Sequence, residues 1–318
     1  MLTFNAKIFS SLTAAVVIGV GTANIATQAE SSGAATNHEV VVAASIEAAA
    51  SNLPGPIEGP APTVAATAAT APAAQTIEDL PLSERAHAWF LGGVEAYNAG
   101  DGRLTVERWT KAADRGHLVA QWNLARLYRR GDLVAADPVK ALTYFRIVAN
   151  QHDPSRVRDQ RSAITVAALV EVADIYRAGE PLAKLVPDPN RAAALYNVAA
   201  KLYGDARAQH RLGIMYLTGE GVRQHIGRAV RWLGLSASKR YAPSLVALGD
   251  FFWQNRETGD NKVQGLMWLS LARENAKGED LRAVVNDRYE AALIEANDEE
   301  RKQAMSLIQS WNQIHRTQ

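Results

Sequence analysis

No cysteine occurs anywhere in the 318 residues. Disulfides, thiol nucleophiles and thiolate metal sites are excluded together, so stability has to come from packing. No apolar run reaches the ~20 residues a spanning helix needs; the longest, Ile8 to Val20, is interrupted by Ser10, Ser11 and Thr13. Motifs that carry chemistry are missing too: there is no phosphate loop, no G-x-S-x-G elbow and no H-E-x-x-H pair. The seven histidines (38, 87, 117, 152, 210, 225 and 315) show no ligand spacing, although His210 and His225 flank one helix and its loop and could approach one another. Glu171 and Asp174, one helical turn apart, read as a solvated face rather than as the facing acids of a glycosidase. Asp298-Glu299-Glu300 suit the positive end of a helix. Catalytic residues, cofactors and metals are therefore all assigned as none. No run of five or more basic residues suggests nucleic acid.

Charge is scarce in one sign over one stretch. The formal net charge is +1. Between the leader and Arg85, however, seven acidic residues face no Lys or Arg, whereas from Arg85 onward 33 Lys/Arg stand against 26 Asp/Glu, a balance of +7. Residues 30–80, rich in Ala, Pro and Thr, contain too little large apolar surface to offset their ordering entropy and are expected to be a disordered tether. Ahead of them, Lys7, the short apolar run and small residues at Gly21, Ala23, Ala26 and Ala29 describe a secretory signal peptide cleaved between about Ala23 and Ala29. No cysteine follows it, so it is not a lipoprotein leader.

What is present is a repeat. Aligning on an aromatic position gives Tyr97, Tyr128, Tyr176, Tyr216 and Phe252, spaced 31, 48, 40 and 36 residues apart. The residue three earlier is always small: Gly93, Ala125, Ala173, Gly213 and Gly249. Closely crossing helices require that, because a larger side chain would push the backbones apart. Each copy continues through a loop into a second helix carrying a large residue and then small ones, as in Trp109 with Ala112-Ala113 and Trp232 with Ser236-Ala237. Uneven spacing is absorbed in loops at little entropic cost. The pattern predicts an all-α fold, an α-solenoid of stacked antiparallel helix pairs.

In order, Ser83 is expected to cap the first helix, which breaks at Gly100-Asp101-Gly102, and its partner is expected over Thr105–Arg115. Asp137-Pro138 and Asp188-Pro189 mark second helices that start with proline at the first helical position. A polar insertion covers 151–161. The organisation is a signal peptide at 1–29, the tether at 30–80, about five helix pairs at 81–276, and a capping pair of helices at 277–318.

The run Ala208 to Tyr216 (A-x-x-x-L-G-x-x-Y), Gly219-Glu220-Gly221-Val222, Arg228-Ala229 and Trp232 resembles the Sel-like repeat family, relatives of the tetratricopeptide repeat. Ala96-Tyr97-Asn98-Ala99-Gly100-Asp101, Val186-Pro187-Asp188-Pro189-Asn190-Arg191-Ala192 and Gly265 to Glu274 resemble, within it, the ExoR-type periplasmic negative regulators of exopolysaccharide production. The resemblance implies a periplasmic protein that binds the outer domain of a membrane sensor histidine kinase and represses its two-component signalling until the protein is degraded, with a periplasmic protease as a further partner. It implies no catalytic residue. A general envelope scaffold for cell-wall or polysaccharide enzymes is the alternative, and a polysaccharide-acting enzyme a third reading. First-helix positions not used in packing should face the concave surface and contact the partner: Gln121, Arg126, Arg129, Glu171, Asp174, Arg177 and Arg211.

Overall fold

The computed structural model describes residues 77, 80–155, 160–257 and 259–315. The expected leader, nearly all of the tether, and residues 156–159 of the insertion lie outside them. Within the described residues twelve α-helices follow one another, in two compact units that meet in sequence at Tyr203 and Gly204.

The N-terminal unit holds three helix pairs: α1 (Leu82–Asn98) with α2 (Gly102–Ala113), α3 (Leu118–Arg130) with α4 (Pro138–Ala149), and α5 (Gln160–Ala178) with α6 (Pro189–Leu202). Pro81, not Ser83, stands at the N-cap of α1, and no side chain closes that turn. The extended backbone of Pro81 hands over directly to helix at Leu82, which leaves Ser83 inside the first turn. Helix α2 starts three residues earlier than expected, because the Asp101 carboxylate accepts from the Leu104 amide and nucleates the turn there. The two Asp-Pro starts form as the sequence demands: Asp137 accepts from Lys140 N–H and Asp188 from Arg191 N–H, each with proline at the first helical position. Gly131, at φ 76°, ends α3 in the left-handed conformation that a side chain would strain.

The C-terminal unit continues with α7 (Ala206–Thr218) and α8 (Ile226–Ala237), then α9 (Ala242–Gln254) and α10 (Gly259–Asn275), and closes with α11 (Glu279–Glu295) and α12 (Asp298–Ile314). Asn297 and Glu300 form a reciprocal capping box at the start of α12. The closing pair is fastened by chemistry as well as by packing. Trp311 of α12 meets Trp268 of α10 edge-on, both buried. Lys262 reaches Glu300 at 3.0 Å, and Arg288 of α11 reaches Asp250 of α9 at 3.2 Å.

The small positions do what the repeat requires. Ala125 and Ala173 are fully buried, and a Cβ on Gly213 or Gly249 would stand 2.7 Å from the Leu233 or Leu269 side chain of the second helix in the pair. Trp89, Trp109, Trp268 and Trp311 are buried in the core, whereas Trp122, Trp232 and Trp253 are half-buried.

Candidate protein-binding face

In the N-terminal unit the first helices α1, α3 and α5 keep half-buried and exposed positions, among them Tyr97 on α1, Arg126 and Arg129 on α3 and Glu171 on α5, and these form a strip. On α3 the strip recurs at helical spacing: Val119, Trp122 and Arg126 are half-buried, Arg129 and Arg130 exposed. Helices α1 and α3 run the same way, since His87 lies beside His117 at their starts and Tyr97 lies near Arg126 toward their ends.

The two ends of the strip differ chemically. At the start, the Phe90 ring stacks on His117 with centroids 4.5 Å apart, and His87 stacks on the same imidazole. His117 caps α3: its Nδ1 accepts from the Ala120 amide at 3.2 Å. A neutral ring that accepts there carries its proton on Nε2, which faces His87 Nδ1 at 3.4 Å. Burial, with the adjacent His87 and Arg161, pushes the His117 pKa down.

At the other end the strip is basic. Arg126 lies 6.0 Å from the Trp122 ring centroid, and no ion pair holds it among the described residues. Burial and the neighbouring Arg130 push its pKa down against the opposing pull of Tyr97, Glu171 and Asp132, and the guanidinium stays charged. Arg129 stands 3.9 Å from Glu171 of α5, and Arg130 the same distance from Asp132. Arg130 and Asp132 are both exposed and their contact contributes little, whereas Glu171 is half-buried.

The seven residues expected to line this surface divide. Arg126, Arg129 and Glu171 come together on the strip. Gln121 is 6% exposed; its amide donates to the Ala113 carbonyl and its oxygen accepts from Gln151, so it joins helices instead. Asp174 accepts the hydroxyl proton of buried Tyr196, which turns it toward α6. Arg177 is half-buried in the last turn of α5. Arg211 belongs to the C-terminal unit and is 5% exposed. His210 is buried against Ser244 at 3.0 Å and His225 caps α8, so those two imidazoles serve separate structural roles.

The His87–Phe90–His117 cluster went unread in the sequence. A signal existed: His87 and His117 are 30 residues apart, one residue short of the 31 between Tyr97 and Tyr128, so the repeat register places them side by side.

Comparison with known proteins agrees with this architecture. The Sel1 repeat pattern matches residues 118–153, 166–203 and 206–241. These are the pairs α3–α4, α5–α6 and α7–α8; the pairs on either side keep the helix-pair form beyond the match. The chain is similar to the exopolysaccharide production negative regulator of Rhizobium meliloti (strain 1021), 30% identical over 223 residues, covering 70% of this chain and 81% of that protein. Among solved structures, it is similar to a protective antigen present in uropathogenic Escherichia coli strains and displaying an SLR fold, with a TM-score of 0.57 and 22% identity. That match covers 73% of this chain and about half, 47%, of the antigen. It is similar as well to a Sel1 repeat protein from Oxalobacter formigenes, at TM-score 0.51 and 24% identity over 73% of this chain and 87% of that one. Both structural matches speak to the fold alone.

Proposed function

The chain belongs to the Sel1-repeat family of exopolysaccharide production negative regulators, and on that premise we propose that it is an exported, non-enzymatic protein that binds the periplasmic domain of a membrane sensor kinase and holds its signalling down. The observation that carries this reading is the relationship to the Rhizobium meliloti regulator over four fifths of that protein's length. The leader-like start of the sequence supports export to the periplasm.

The mechanism is a shift of population. A repressor silences a two-state kinase only by binding the silent state more tightly than the active one. Each tenfold of preference corresponds to about 1.4 kcal/mol. The strip of α1, α3 and α5 has the side chains for such binding. Trp122 offers an aromatic anchor and Arg126 a partly desolvated cation, two residue types that dominate protein interfaces.

Epistasis tests the reading. Deleting the gene should raise both kinase-dependent transcription and exopolysaccharide output, and deleting the kinase as well should return both to low levels. An envelope defect with unchanged kinase-dependent transcription would move the assignment to a scaffold for wall or polysaccharide enzymes.

A further inference from the structure

The charge split of the sequence has a counterpart in the fold. Residues 30–79 carry Glu30, Glu39, Glu47, Glu58, Glu78 and Asp79 and no Lys or Arg. The balancing positive charge is not spread evenly over the two units. Residues 85–203 hold 17 Lys/Arg against 12 Asp/Glu, whereas residues 204–318 hold 16 against 14. The excess sits in the unit whose first helix follows the acidic segment directly. Within that unit Arg126 has no ion pair among the described residues, and Arg129 and Arg130 have partners only at 3.9 Å.

We infer that the acidic segment docks in cis on the basic end of the α1–α3–α5 strip, at Arg126, Arg129 and Arg130, and that an external partner binds there by displacing it. Reach permits this. Helix α3 has 13 residues, a length of about 20 Å. The start of α1 lies at the His117 end of the strip, so Leu80 has about that distance to cover. At ~3.3 Å per extended residue, six or seven residues bridge it. Glu58 lies 22 residues before Leu80. Twenty-two residues reach at most about 70 Å when extended, several times the distance required. Glu58 and Glu47 are thus the carboxylates placed to meet the arginines, while Glu78 and Asp79 are too close in sequence to α1 to reach them. Exposed ion pairs are individually weak and salt-screened, so the docked state exchanges readily. That suits a competitor which has to yield to a partner.

The absence of native cysteine supplies the test. Cysteines introduced at Thr63 and Asn123 in the full exported chain would be the only labelling sites, and nitroxides there report the distance from the segment to α3 by pulsed electron resonance. The expected result at low salt is a short-distance population that disappears in ~1 M salt, where the screening length falls to about 3 Å. It should also disappear in the Glu47→Gln/Glu58→Gln variant, which leaves the helical units untouched, and in Arg129→Glu. A distance distribution unchanged by salt and by the Gln pair would overturn the inference. No partner is present in the measurement, so its outcome is independent of which protein the chain regulates.

Discussion

The Arg191 guanidinium lies over the Tyr176 ring, 4.1 Å from its centroid. Lys140 stands over Tyr128 at 5.0 Å, and Arg228 over Tyr216 at 5.6 Å. In all three the cation is on the first turn of a second helix and the ring is the repeat tyrosine of the first. In the first pair Trp109 takes that place, stacked on Tyr97. The relation explains why a basic residue follows the Asp137, Asp188 and His225 caps by three positions. The cap fixes the turn, and the turn aims the cation at the ring. Such a contact contributes about 0.5–1 kcal/mol at exposed sites. Arg191→Met should therefore lower stability by about that amount, with Arg191→Lys losing less. Because the three sites share no partners, Lys140→Met, Arg191→Met and Arg228→Met combined should lose roughly the sum in denaturant titrations.

Gly213 faces Leu233 so closely that an added methyl would stand 2.7 Å from Leu233 Cγ. Gly213→Ala gains up to ~1 kcal/mol in helix propensity, while forced overpacking typically costs about 1–3 kcal/mol. Net destabilisation is expected, partly relieved by Leu233→Ala in the same chain. A stabilised Gly213→Ala variant would mean that the pair can part without cost.

Burial, with His87 and Arg161 beside it, disfavours the charged form of His117, whose ring accepts from the Ala120 amide. Its folded pKa is lowered below the ordinary value of 6.5. The unfolded chain therefore takes up a proton first as pH falls, and the contribution of His117 to stability, complete above pH ~6.5, is lost below it. Protection of the Ala120–Leu124 amides, measured relative to the intrinsic exchange rate at each pH, should fall between pH 7.5 and 5.5, and His117→Asn, which caps without titrating, should remove that fall.

Asp250 shows the opposite sign. Burial raises its pKa from 3.8 to about 7, although Arg288 opposes the shift. A folded pKa above the unfolded one makes stability fall as pH rises from about 4 to about 7. Arg288→Met would leave the carboxylate uncompensated, a loss on the order of 3–5 kcal/mol when it is ionised. The gap between wild type and variant should thus widen from pH 5 to pH 8, read by thermal unfolding. An equal gap at both values would show that Asp250 is already ionised at pH 5.

Much of the architecture was legible because it is local. An Asp-Pro pair starts a helix, a left-handed glycine ends one, and a glycine three residues before an aromatic marks a close crossing, all within a few residues of sequence. The face was less legible. Whether a polar side chain lines a surface or joins two helices depends on residues a whole repeat away. Gln121 and Arg211 look like any exposed polar position, yet the first is consumed by Ala113 and Gln151 and the second is enclosed by its own unit. Asp174 was drawn inward by the hydroxyl of Tyr196, 22 residues later. Ser83 failed as a cap because the chain was already helical when it arrived.

The central claim, repression through a bound membrane partner, is tested most directly by using residues 30–318 as bait against solubilised membranes and identifying what is retained. The account predicts recovery of a sensor kinase, lost with Arg126→Glu/Arg129→Glu and with Arg129→Glu alone, but kept with Arg146→Glu on the exposed side of α4. Retention of wall or polysaccharide enzymes without a kinase, or a kinase held equally by all four baits, would contradict it.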